Sequence, residues 1–177
     1  MGHLMPAIRC THIEAYVFRR RAGRVEFLAL RRSPASSLGG IWQPVTGKID
    51  RGETMLDAAV REVREETGLL PRRWWALETT TVFTDPGSDS VLVLPLFVAE
   101  VEPRAVVTLS TEHDAHRFVP ARTAARLYLW DAQRRGLEAV RREVLRGGRL
   151  ADALEIAPSR GHARRLPTPS RHRATSH

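Results

Sequence analysis

The chain has 177 residues, 42% hydrophobic and 27% charged, which fits one domain with its own core and excludes two large ones. No apolar run approaches the 18 or more residues of a membrane span, the start MGHLMPAIRC has no basic-then-apolar leader pattern, and Pro6 stands where an acylation signal has Ser or Thr. The net charge of +8 raises the question of a polyanion partner, while Cys10, the only cysteine, excludes an internal disulfide and fits a reducing cytoplasm.

In chain order, residues 13–18 and 25–30 read as two strands of a hairpin joined by the basic turn 19–24. Pro34, three serines and Gly39-Gly40 make 33–40 a loop, followed by a short extended piece at 41–45. A helix bounded by Thr54 and Gly68 comes next. Residues 75–84 and 90–101 flank Asp85-Pro86-Gly87-Ser88-Asp89, which has the chemistry of a turn between strands. Residues 106–109 and 117–119 are each expected to add a short strand. A last helix is expected from 121 or 131 through 145, ended by Gly147-Gly148. This alternation, free of repeats, predicts a mixed α/β domain over 10–155. Residues 156–177 hold five Arg, no acid and three Pro, and are expected to form a disordered basic tail. All basic residues but Lys48 are Arg, a skew that reads as a bias of coding composition more readily than as a nucleic-acid surface.

The helix carries the chemistry. Thr54 can cap its start, with Asp57 three residues on, and Gly68 supplies a left-handed stop. Leu56, Ala59, Val60 and Val63 recur at i, i+3, i+4, i+7 and make an apolar stripe. Glu62, Glu65 and Glu66 recur at i, i+3, i+4 and gather three carboxylates on another face. Like charges so spaced repel by ~0.2–0.5 kcal/mol per pair. Arg61 and Arg64 offset part of this, and a solvated acidic face is one reading; the other is a site for a hard divalent cation such as Mg²⁺.

The full pattern is Gly47, Glu53, Arg61, Glu62, Val63, Glu65, Glu66, Gly68 and Leu69, in the spacing Gly-x5-Glu-x7-Arg-Glu-hydrophobic-x-Glu-Glu-x-Gly-hydrophobic. It resembles the signature of the Nudix hydrolases at every fixed position. The resemblance implies an α/β/α sandwich with a mixed sheet, in which this loop and helix bind Mg²⁺, or Mn²⁺, and the phosphates of a small phosphorylated metabolite or nucleotide. It implies Glu62 and Glu66 as main metal ligands, with Glu65, Glu112 and the Thr46 carbonyl completing the shell. Arg61 and Glu53 orient these groups, and Glu65 and Glu66 serve the reaction. Glu112, in Ser110-Thr111-Glu112-His113, is the candidate base for the attacking water, with an exposed loop acid as the alternative.

Shorter motifs, Leu30-Arg31-Arg32, Ile41-Trp42-Gln43-Pro44-Val45-Thr46 and Thr111-Glu112-His113, resemble the bacterial dihydroneopterin triphosphate and dATP pyrophosphohydrolases within that family. They imply cleavage of a nucleoside-triphosphate-like substrate to monophosphate and pyrophosphate. On that resemblance Arg31 pairs with phosphate, Trp42 stacks on a base or pterin, and Thr46 lies against the substrate; strand-end charge and core packing are the alternatives for Arg31 and Trp42. Dinucleoside polyphosphates, sugar nucleotides and oxidised nucleotides are alternative substrates. A non-catalytic nucleotide- or RNA-binding module is the alternative of another class, opposed by the retention of all three glutamates. His113 and His116, three apart in an extended segment, point to opposite faces and are not expected to chelate one ion. Nucleic acid and membrane are not expected partners, and a homodimer is compatible with the sequence.

Overall fold

The computed structural model describes residues 5–158. Its strands are β1 (Ala7–Arg9), β2 (His12–Arg21), β3 (Arg24–Arg32), β4 (Trp42–Gln43), β5 (Val45–Lys48), β6 (Arg73–Asp85), β7 (Ser90–Val101), β8 (His113–Val119) and β9 (Glu155–Ile156). Its helices are α1 (Met55–Thr67), α2 (Ala121–Leu127), α3 (Asp131–Val140) and α4 (Arg149–Leu154). The strand order is β4-β3-β2-β7-β6-β9, with β5 also on β2, β8 on β3 and β1 on β7. Parallel pairing of β2 and β1 with β7 makes the sheet mixed.

The sequence of β2 explains its central place. Every residue of 13–18 is buried, so both faces of the strand must be covered. Ile13, Ala15 and Val17 pack with Ala58, Ala59 and Val63 of α1. Tyr16 and Phe18, pointing the other way, pack with Ala124 of α2 and with Leu137 and Val140 of α3. The sheet therefore lies between two helical layers, the α/β/α sandwich expected. Gly136 lets α3 approach closely, since a β-carbon there would come 2.1 Å from the Tyr16 hydroxyl oxygen.

Two expected elements differ. Residues 106–109 form no strand: the Thr108 N–H donates to the Thr67 carbonyl at 2.8 Å and the Ser110 N–H to the Glu66 carbonyl at 3.2 Å. The segment thus satisfies orphan carbonyls at the end of α1 instead of joining a ladder, while Val107 and Leu109 pack against the core. The single last helix is instead α2, then α3, then a π-helical turn, Arg141–Leu145. Tyr128, extended at φ −67°, ψ 130°, ends α2. The turn presents Glu143, whose carboxylate accepts from the Glu78 N–H at 3.0 Å and the Thr79 hydroxyl at 2.5 Å, where β6 slips register. Gly147 and Gly148 do take positive φ, 69° and 85°, but α4 and β9 follow them, and Ile156 pairs with Trp74. Of the expected tail, residues 159–177 lie outside the described residues. Among the described residues no helix is long and apolar enough to cross a membrane.

Candidate active site

Helix α1 forms as its caps dictate. The Thr54 hydroxyl accepts from the Asp57 N–H at 3.1 Å, and Gly68 closes the helix at φ 67° with its N–H on the Arg64 carbonyl. Before it, β5 runs antiparallel to β2, with Gly47 opposite Ile13, and the loop to α1 turns through Gly52 at φ 83°. A β-carbon on Gly47 would lie 2.0 Å from the carboxyl carbon of Glu62, so glycine there leaves the space that the Glu62 side chain occupies.

Arg61 ties loop to helix. Its guanidinium forks onto Glu53 with two bonds of 2.9 Å, donates to Glu62 at 2.8 Å and Glu65 at 3.1 Å, and reaches the Lys48 carbonyl at 2.8 Å. The Glu53 bonds are the main reason its pKa rises further above the usual range. Glu53 also accepts from the Asp50 N–H at 3.1 Å, which fixes the loop.

Glu66 is different. It is 4% exposed, and its Oε2 is buried without a hydrogen-bond partner. Burial first, then the charges of Glu62 and Glu112, push its carboxyl up to about 9, with Arg32 opposing. Burial also raises Glu62, against the pull of Arg61. Glu112, exposed, is tethered by its backbone: its carbonyl accepts from the Ser33 N–H at 2.8 Å and its N–H reaches the Ser110 hydroxyl at 3.3 Å. Glu62, Glu66 and Glu112 thus share one electrostatic neighbourhood although Glu112 comes from outside the helix. Among the described residues no three acidic, His or Cys side chains are grouped as metal ligands; Arg61 draws Glu62 and Glu65 to itself. The donor set nonetheless fits a hard cation, because all the donors are oxygens and Glu66 holds an unpaired one in a buried, acid-rich position.

A cleft of about 520 Å³ opens on the α3 face of the sheet, lined by Glu14, Gln43, Thr46, Phe83, Trp130 and Gln133 among others. Thr46 lines it while Gly47, the next residue of β5, faces α1, so this strand links the cleft to the carboxylates. The Thr46 hydroxyl accepts from the Gln43 amide at 3.1 Å. Two expected substrate residues sit elsewhere. Arg31 is engaged by Asp114 in a two-bond ion pair of 2.7 and 3.0 Å. Trp42 is not among the cleft residues; Arg31 and Arg117 lie over its ring at 5.8 and 5.0 Å from the centroid. The exposed aromatic side chains at the cleft are Phe83 and Trp130 instead. His113 is buried and His116 exposed, so the two do point apart. Sequence reasoning missed Arg32, Glu14 and Gln133. The signal for Glu14 was present: an acid inside the apolar run of β2, on the face of Tyr16 and Phe18. Gln133 carries no such mark.

Comparison with known proteins agrees with this geometry. The NUDIX domain model matches residues 11–140. An octanoyltransferase of Myxococcus xanthus is 34% identical over 109 residues, 61% of this chain but 30% of that protein, so the chain spans under a third of this relative. The asymmetrical bis(5'-nucleosyl)-tetraphosphatase of Mus musculus is 33% identical over 107 residues, 58% of this chain and 69% of that protein. The E. coli dihydroneopterin triphosphate pyrophosphohydrolase superposes with a TM-score of 0.59 at 24% identity, covering 75% of this chain and 95% of that one, a likeness of fold.

Proposed function

The chain belongs to the Nudix family, hydrolases of phosphoric anhydride bonds, and from that premise we propose that it is a divalent-metal-dependent pyrophosphohydrolase of a nucleoside-triphosphate-like substrate. A (d)NTP or dihydroneopterin triphosphate is cleaved to monophosphate and pyrophosphate. The observation that supports this is the unpaired, buried Glu66 oxygen facing the charges of Glu62 and Glu112.

Family members generally use divalent cations. Glu62, Glu66, Glu65 and Glu112 with the Thr46 carbonyl would hold Mg²⁺, or Mn²⁺. When bound, the cation supplies positive charge against the phosphates and makes water more acidic. Arg61 and Glu53 act as positioning residues, fixing Glu62 and the Lys48 carbonyl against each other. Glu112 takes the proton of the attacking water; the water oxygen bonds to phosphorus, and pyrophosphate leaves with the electron pair of the broken P–O bond. The substrate is a small phosphorylated metabolite rather than nucleic acid or membrane, and the single Cys10 thiol suits the cytoplasm.

A second reading, hydrolysis of a dinucleoside polyphosphate, is favoured by the identity with the Mus musculus tetraphosphatase. Incubation of the purified chain with Mg²⁺ or Mn²⁺ and a nucleotide panel separates the two. Pyrophosphate released from a triphosphate supports the first, whereas unequal nucleotides released from a dinucleoside tetraphosphate support the second. Failure to cleave any anhydride with either metal overturns both.

A further inference from the structure

Glu14 is 3% exposed and Gln133 4% exposed, yet both line the cleft. The Tyr16 hydroxyl donates to Glu14 Oε1 and lies 2.9 Å from the Gln133 backbone carbonyl, so one proton meets two acceptors. A proton on Glu14 resolves the conflict: the carboxyl donates to Tyr16 and Tyr16 to the carbonyl. Consistently, burial raises Glu14 to about 7 against the bonds from Tyr16 and the Gln133 side chain. With its amide nitrogen on Glu14, Gln133 is left with Oε1, a buried acceptor that has no partner. Such atoms are rare in folded proteins and call for an explanation. Gly136 holds α3 against Tyr16, so Gln133, one turn earlier, is positioned by backbone packing.

The cleft thus has an acceptor-rich floor, the second oxygen of Glu14 and Oε1 of Gln133, between two exposed aromatic side chains. Phe83 is 44% and Trp130 50% exposed. Its volume of about 520 Å³ suits a bicyclic ring. We propose that this cleft reads the edge that guanine and pterin share, a lactam ring N–H beside a 2-amino group, the ring N–H donating to Glu14 and the exocyclic amine to Gln133 Oε1, with Phe83 and Trp130 against the ring faces. Adjacent acceptors match adjacent donors; adenine presents an acceptor nitrogen beside its amine and meets Glu14 or Gln133 with like polarity. The assignment rests on the hydrolase reading only for direction, the phosphates passing Thr46 toward α1.

The test is equilibrium binding to the full chain without divalent metal, using GMP, IMP, AMP and neopterin monophosphate, none of which needs to be hydrolysed. IMP is GMP without the 2-amino group. The expected result is GMP or neopterin monophosphate binding at least about tenfold tighter than AMP and IMP, with the tighter of the two identifying the ring. In Gln133→Leu, close in size, the GMP-to-IMP ratio falls to within about twofold. An unaltered protein that binds neither GMP nor neopterin monophosphate more tightly than AMP and IMP, or binds none of the four at millimolar concentration, overturns the proposal; so does a folded Gln133→Leu that keeps the selectivity of the unaltered protein. The comparison in the unaltered protein decides the matter if that variant does not fold. Ring selectivity without turnover of any anhydride removes the hydrolase reading and keeps this one, and turnover without selectivity does the reverse.

Discussion

Gly47 and Glu62 occupy one volume: a β-carbon on Gly47 would meet Glu62 at its Cγ, 2.2 Å away, and at its carboxyl carbon, 2.0 Å away. The glutamate is a flexible side chain and half-buried, so Gly47→Ala displaces it cheaply and leaves the helix intact. The expected outcome is at least tenfold lower metal-dependent turnover, with a stability change under about 1 kcal/mol. Steady-state kinetics and urea unfolding of the same sample check both halves.

Arg61 spans Glu53, Glu62, Glu65 and the Lys48 carbonyl with a planar fork. Lysine keeps the charge but places one ammonium where five directed donors are used. Arg61→Lys is therefore expected to lower kcat/KM by about 10–100-fold, with weaker metal affinity. Full activity in that variant would show that charge alone suffices.

Glu112 reaches the cluster from the segment before β8, and nothing in the structure makes it a clamp on the fold. Replacing it with Gln keeps its size and removes the base. If it takes the proton of water, Glu112→Gln lowers kcat by about 10²–10⁴-fold and flattens the acid limb of the pH profile, with KM little changed. Loss of metal affinity without those kinetic changes would leave it ligation alone and remove the role of base.

Which parts of this were legible in the sequence follows from how local their causes are. Helix α1 is bounded by Thr54 and Gly68 because cap chemistry lies within a few residues of the helix end. Strand β2 was legible because five of the six residues 13–18 are apolar or aromatic, Glu14 being the exception. The loop at 106–109 misled because Val106, Val107 and Leu109 look like a strand, whereas their place is set by the carbonyls of Thr67 and Glu66, some 40 residues away. Arg31 was expected at phosphate, and its partner Asp114 belongs to a strand that only the fold brings alongside, through pairing of β3 with β8. Gln133 is a polar residue in the first turn of a helix until Gly136 seats that helix on Tyr16.

Glu14 gives the stability of the protein a pH dependence of defined sign. Its folded carboxyl titrates at about 7 against 4.5 for the free group, so between these values the folded state keeps a proton that the unfolded state releases. Stability therefore falls as pH rises from about 4.5 to about 7, and the loss is at most about 1.4 kcal/mol for each pH step of one. His12 and His113, whose pKa values burial lowers, act in the opposite direction. The difference between the unaltered protein and Glu14→Gln isolates the carboxyl: the variant is expected to gain relative stability as pH rises from 5 to 7. Parallel curves from urea unfolding with chelator present would refute the assignment.

The same logic at Glu66 couples metal to protons. With its carboxyl pushed up to about 9 by burial and by Glu62 and Glu112, the cluster holds a proton at pH 7. A divalent cation has to displace that proton before Glu66 can act as a charged ligand, so binding is expected to release about one proton at pH 7 and to tighten toward pH 9. Calorimetry in buffers of different ionisation enthalpy reads the number directly. Glu66→Gln cannot release it, and should bind metal more weakly and lose metal-dependent turnover. In the metal-free state that variant should also be more stable than the unaltered protein above pH 9, where the native carboxylate is charged, buried and beside two like charges. Metal binding that releases no proton at pH 7 would mean that Glu66 is already ionised there, and that the unpaired oxygen is balanced by something other than a proton.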